Sequence, residues 1–257
     1  MSRGVLFLTE GRSGSNWLTD LTNKTGLLGH CDEWLSKSLL GKPRPSDRAS
    51  LVQSLVTKSR SENGFFSIKV FPAHAHYITL KYKFDVLTHF SRNFDCLLVR
   101  LTRRDVVAQA ISFARSIQSG QWTVHHVKSR EVEYDFDLIC HCYFMIAQSN
   151  AFWDSYLQLH DLKYQHFVYE DMLDTPLPFL ECVADHAQVE VRSVPTSRHK
   201  VQRDQVTSEW HERFRNDLET KNVVACSVAM GQPTRTFANF ARMLSGNVLK
   251  PYPYIFN

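Results

Sequence analysis

The sequence predicts an α/β fold, a mostly parallel central sheet flanked by helices. Three observations lead there. Short runs of strand length (Val5 to Leu8, Phe65 to Phe71, Asp95 to Leu101, Lys163 to Tyr169) alternate with longer stretches patterned as helices. The first run breaks into a short polar loop with two glycines and passes at once into a helical pattern. The chain has 257 residues, 43% hydrophobic and 22% charged, which suits one globular domain with ample material for a core.

The elements follow in order. Val5 to Leu8 reads as a buried strand, and Asn16 to Thr25 as a helix ended by Gly26. Gly29 to Leu35 is a second loop. The polar stretch from Leu35 to Asn63 contains the breaker Gly41-Lys42-Pro43-Arg44-Pro45-Ser46-Asp47, then a helix around Arg48 to Lys58 capped by Asp47. After the strand Phe65 to Phe71, His74 to Arg92 reads as helix plus loop. "DCLLVRL" (Asp95 to Leu101) has the composition of a central strand. Arg103-Arg104-Asp105 form a loop and Val106 to Gln118 a helix, with Arg104 solvated or paired with Asp105. Asp137 to His160 is a long helix, Lys163 to Tyr169 a strand, and Pro176 to His186 a helix; the chain turns basic and polar after Val191.

The first loop, "GRSGSN" from Gly11, is made of donors or of residues that make room for them. Amides at a helix start point outward, and the helix dipole adds about half a positive charge there. Gly11 and Gly14 let backbone approach an oxyanion; Ser13 and Ser15 bring hydroxyls; Arg12 brings a charged fork. No lysine follows the second glycine, so this is not the nucleoside-triphosphate P-loop, and the spacing is not G-x-G-x-x-G. From the loop alone, an anion cradle and a plain capped turn with Arg12 in solvent both stand.

Two further stretches decide between them. "TEGRSGSNWLTDLTNKTGLLGHCDEWL" (Thr9 to Leu35), "RLTRRDVVAQAISFARSIQSGQW" (Arg100 to Trp122) and "KVQRDQVTSEWHERFRNDL" (Lys200 to Leu218) come in this order and cover somewhat over a quarter of the chain. Together they resemble the Stf0 family of sulfotransferases; Lys69 in its strand and "VYEDML" from Val168 are similar in kind. The resemblance implies a P-loop-like sulfotransferase fold and, as co-substrate, 3'-phosphoadenosine 5'-phosphosulfate (PAPS), with PAP as product and no metal. It implies that Arg12, Ser13, Gly14, Ser15 and Asn16 hold the 5'-phosphate, and that Arg103 and Ser112 hold the 3'-phosphate. Arg203 in "VQRDQ" resembles a basic residue that reaches the same phosphate. Asn16 departs from the family, which usually has Thr there; the amide keeps a donor and loses the hydroxyl.

The resemblance makes Glu33, in "GHCDEWL", the general base; the loop amides, Arg12 and Lys69 are the groups expected to stabilise the leaving phosphate. Asp32 aligns with a non-catalytic position. The expected reaction is in-line transfer of a sulfuryl group to a hydroxyl of a carbohydrate or glycolipid. The alternatives are an ATP-dependent small-molecule kinase and an inactive PAP- or anion-binding module. The stretch 36–63 departs from the family and reads as an acceptor-side insertion; 223–257 reads as a C-terminal extension, a cover for the acceptor site or a dimer contact. The acceptor stays open among a lipid-linked sugar, an exopolysaccharide unit and a small glycoside, and a homodimer is compatible.

Composition narrows the rest. With 30 Lys+Arg against 26 Asp+Glu the net charge is +4, a mild bias towards anions and too weak for nucleic acid. The six cysteines are scattered without a C-x-x-C pair, which speaks for buried free thiols and against zinc. His74-x-His76 has no third ligand at useful spacing. The apolar runs are too short for a secretion signal or a membrane span, so the expected location is cytoplasmic. Asn23-Lys24-Thr25 matches the glycosylation sequon, and without a secretion signal it reads as chance.

Overall fold

The computed structural model describes residues 2–41, 43–122, 131–197, 205–224 and 237–244. Four parallel strands, β1 (Arg3–Leu8), β2 (Phe66–Val70), β3 (Asp95–Thr102) and β4 (Gln165–Val168), lie in the order β2-β1-β3-β4. β1 is central: Leu6 stands opposite Ile68 on one side and Leu98 on the other. Both faces of the inner strands are covered, which is why they read as unbroken apolar runs.

The chain forms two compact units. The first comprises Met1–Arg104 and Ser149–Val201, the second Asp105–Gln148 and Gln202–Asn257.

In the first unit the alternation along β1 sorts two cores. Leu6 and Leu8 join Ile68, Val70, Leu98 and Trp153, under α2 (Arg48–Ser59), α3 (Pro72–Tyr82) and α4 (Val86–Asn93). Val5 and Phe7 join Val99 and Leu101 beneath α1 (Ser15–Lys24) and a later helix, Leu177–Ala187, which contributes Phe179, Leu180 and Val183. Residues of a strand one apart point to opposite faces, so one short run feeds both cores. The cap expected at Asp47 is a full capping box with Ser50. The expected helix plus loop over His74 to Arg92 is two helices. Lys83, at φ 57°, closes α3 in the left-handed conformation, and the Asp85 carboxylate accepts the amides of Leu87 and Thr88 to restart α4.

The second unit is helical. α5 (Val106–Ser119) is capped by the Asp105 carboxylate on the Ala108 amide and closed by Gly120 at φ 72°. It packs Ala110, Ile111 and Ala114 with Ile139 and Ile146 of α6 (Phe136–Leu159). Numbering Leu177–Ala187 as α7, the next helix is α8 (Gln205–Asp217), whose Trp210 and Phe214 complete this core. α6 contributes residues 136–148 to this unit and 149–159 to the first. Of the expected extension over 223–257, only Val223, Val224 and α9 (Phe237–Leu244) lie within the described residues. No described helix is long and apolar enough to cross a membrane.

Candidate active site

The glycine loop stands at the C-terminal end of β1. The Thr9 amide continues the pairing with β2 by donating to the Val70 carbonyl at 3.2 Å. The Thr9 hydroxyl donates to the Leu101 carbonyl at 3.1 Å and lies 2.6 Å from the Ser13 hydroxyl. Arg12 and Gly14 both take positive φ, 64° and 83°. At Gly14 any side chain would force a shift, because a Cβ would sit 2.1 Å from the Tyr169 ring. Gly14 is also the N-cap of α1 and brings no side-chain oxygen to its first-turn amides. A helix start opened in this way, with Ser13 and Ser15 beside it, suits a bound oxyanion.

A set of buried polar groups behind the loop escaped sequence reasoning. The Glu10 carboxylate, 5% exposed, accepts from the Gly11 amide at 2.7 Å and from the Ser149 hydroxyl at 2.5 Å. Burial pushes its carboxyl above the ordinary carboxylate range, against the pull of those two donors. Trp153, one turn further along α6, donates its indole N–H to the Thr9 carbonyl at 3.1 Å. Arg100, buried in β3, donates to the carbonyls of Leu8 and Leu101 and to Asn150 Oδ1, with Asp154 3.5 Å from its Nε. One face of α6 thus fixes the root of the loop.

Glu33 reaches the same place by a return of the chain. After α1, Gly29 presses on β2 so closely that a Cβ would meet the Ser67 backbone nitrogen at 2.7 Å. Asp32 pairs with Ile68 in an isolated parallel bridge, and its carbonyl accepts the Lys69 amide at 3.1 Å. This strap, residues 29–33, brings the Glu33 carboxylate to 3.7 Å from Lys69 Nζ. Lys69, 2% exposed at the end of β2, also donates to Asn16 Oδ1 at 2.5 Å. A buried ammonium needs such partners. Asn16 therefore holds the lysine through its amide oxygen. The neighbouring Trp34 turns its indole N–H to the His30 carbonyl at 2.7 Å.

His74, in the first turn of α3, packs its ring against Phe71, and its buried Nδ1 has no hydrogen-bond partner among the described residues. Burial, reinforced by the Lys69 charge, pushes its pKa from 6.5 down to about 4. Above pH 6.5 it is neutral folded or unfolded and adds no pH dependence. Between 6.5 and about 4 the unfolded chain takes up a proton that the folded chain refuses, so stability falls as the pH is lowered. Urea midpoints measured over this window are expected to fall less steeply in His74→Gln than in the wild type; an unchanged slope would contradict the assignment. Among the described residues no group of three or more His, Cys, Asp or Glu is arranged to hold a metal ion.

Arg103 leaves β3 beside the loop. It is ion-paired with Glu170 at 3.5 Å, donates to the Arg12 carbonyl at 3.4 Å and lies over the Tyr169 ring. The other oxygen of Glu170 accepts the Arg104 amide. Arg104 is not paired with Asp105: its guanidinium donates to Asp171 at 2.5 Å, because the Asp105 carboxylate is used as the cap of α5. Ser112 is half-buried on α5 in the second unit, where its carbonyl accepts the Ser116 hydroxyl. Arg203 lies outside the described residues.

Comparison with known proteins places the chain in a family. Residues 87–217 match the model of the Stf0 sulphotransferase family. A curated relative, the trehalose 2-sulfotransferase of Mycolicibacterium smegmatis (strain ATCC 700084 / mc(2)155), is 26% identical over 127 residues, 49% of this chain and 48% of that protein. The match thus spans about half of the relative's length. Among solved structures, the crystal structure of a sulfotransferase from Alicyclobacillus acidocaldarius aligns with a TM-score of 0.48 at 12% identity, over 88% of this chain and all of that one. The sulfotransferase domain of the Synechococcus PCC 7002 olefin synthase aligns with a TM-score of 0.39 at 15% identity, over 86% of this chain and 95% of that one. The family match begins at α4 and runs through β3, its arginine turn and the helices beyond, about half of the chain, and on that extent the protein belongs to the Stf0 sulphotransferase family.

Proposed function

We propose that the protein transfers a sulfuryl group from PAPS to a hydroxyl of a carbohydrate or glycolipid acceptor. The observation that carries this reading is Lys69, set between Asn16 at the anion loop and the Glu33 carboxylate. A cation beside the loop can receive the charge that a leaving phosphate gains, and a carboxylate beside that cation can take the proton that a hydroxyl loses; this pairing supports the reading. The carbohydrate class is supported by the trehalose 2-sulfotransferase relative.

In the proposed reaction the acceptor oxygen attacks sulfur. A new O–S bond forms while the bond from sulfur to the bridging oxygen breaks, and that electron pair leaves on the 5'-phosphate of PAP. The acceptor proton passes to Glu33. The loop amides, Arg12, Ser13, Ser15 and Lys69 receive the growing charge on the phosphate. The family resemblance assigns the 3'-phosphate to Arg103, Ser112 and Arg203, residues whose donors would distinguish PAP from ADP.

The test is transfer of label from PAPS carrying radioactive sulfur to a panel of monosaccharides, disaccharides and glycolipids. Labelled sulfated saccharide together with PAP is expected. Release of the label as free sulfate only, or phosphate transfer from ATP to the same panel, would overturn the reading. At the 3'-phosphate, Arg103→Ala is expected to weaken PAP binding about 10- to 100-fold, the scale of a lost charge-assisted hydrogen bond, and to leave ADP binding little changed. Equal losses for both nucleotides would remove Arg103 from the 3'-phosphate.

A further inference from the structure

We propose that Asn23 is a positioning residue for Glu33. The proposal rests on the reading of Glu33 as the base. Asn23 lies in the last turn of α1, half-buried, inside the sequon. Its side-chain amide closes a two-bond ring with the backbone of one residue. The Cys31 amide donates to Asn23 Oδ1 at 2.6 Å, and Asn23 Nδ2 donates to the Cys31 carbonyl at 3.0 Å. Both polar ends of the side chain are engaged by the protein, which gives the sequon a structural purpose.

Cys31 belongs to the strap that carries Glu33. On one side the strap is fixed to β2, by Gly29 against Ser67 and by Asp32 beside Ile68. On the other side Asn23 fixes it to α1. Asn16 and Asn23 are seven residues apart, two helical turns, so they share a face of α1. The N-terminal end of that helix presents the anion loop and, through Asn16, holds Lys69. Its C-terminal end holds the segment that aims Glu33 at the same lysine. A single helix therefore sets the distance between the loop and the base. No other side chain in that helix bonds both the amide and the carbonyl of one strap residue among the described residues.

The test compares Asn23→Ala and Asn23→Asp, each alone and combined with Glu33→Gln. Asn23→Asp keeps an acceptor for the Cys31 amide and loses the donor to its carbonyl, so it carries the test if the alanine variant folds poorly. Hydrogen exchange of residues 29–35 is expected to accelerate at least about tenfold in Asn23→Ala, with residues 11–16 unchanged and PAP affinity within about twofold of wild type. Turnover, read as PAP released from PAPS with trehalose or, failing transfer to it, water as acceptor, is expected to fall about 10- to 100-fold. No further loss is expected when the substitution is added to Glu33→Gln, because both act on one proton transfer. Unchanged exchange in the strap, or losses that multiply in the double variant, would overturn the proposal. An inactive Glu33→Gln beside a fully active Asn23→Ala overturns it alone. Full turnover in Glu33→Gln overturns the reading of the base, and the proposal with it.

Discussion

Glu33→Gln is expected to lower turnover about 10²- to 10⁴-fold, the range of a lost general base, with PAP affinity almost unchanged. The substitution keeps the shape of the side chain and an oxygen that accepts from Lys69. It removes the ability to take a proton. Lys69 is 2% exposed and loses its charged partner, so a modest drop in stability accompanies the change. Thermal unfolding separates that drop from the kinetic effect. The decisive comparison is between turnover and PAP titration in the same variant. Losses of equal size in both would make Glu33 a binding residue and remove it from proton transfer.

Gly14→Ala is the second large effect. Its Cβ would lie 2.1 Å from Tyr169 Cδ2, with the backbone at φ 83°. The Tyr169 ring has little freedom to give way, since it packs edge-on to Trp17 and beneath Arg103. The loop must shift instead, and with it the start of α1. We expect a stability loss of about 2–4 kcal/mol from overpacking and left-handed strain together. PAP affinity should fall at least about tenfold, as the loop amides leave their places. Gly26→Ala is the control: its φ is 67°, yet nothing stands within 4 Å of its added Cβ. If the two variants lose the same stability and the same affinity, the contact with Tyr169 has no part in shaping the loop.

The inner part of the sheet was legible because β1 and much of β3 are buried on both faces and so appear as apolar runs. The cap of α2 was legible because Asp47 and Ser50 are local to the element they start. The candidate site was legible where its chemistry is concentrated in short segments, as in "GRSGSN" and the arginine turn. Glu33 was placed near the loop from the resemblance; the means of its return, a strap bridged to Ile68, is a tertiary contact that no local pattern records.

Other parts were hidden for the same reason. Glu10 carries no local signal of burial, and its hydroxyl partner Ser149 lies 139 residues away. Arg100 interrupts an apolar strand without a visible partner, since Asn150 and Asp154 arrive on a later helix. Arg104 was read as solvated or paired with the acidic residue next to it in sequence, and its side chain is indeed largely exposed. The helix cap claimed that residue, and Asp171, from the turn after β4, took its place. Local spacing identifies what a charged residue can do, and the fold decides which partner it meets.

The most direct measurement is a calorimetric titration of the wild-type protein with PAP and, separately, with ADP. The two nucleotides carry the same number of phosphates and differ in where the second one sits, on the ribose 3'-oxygen in PAP and on the 5'-phosphate in ADP. If Arg103 and its partners receive the 3'-phosphate, PAP binds at least about tenfold more tightly than ADP, the scale of one added charge-assisted contact. PAP binding no tighter than ADP would contradict the account.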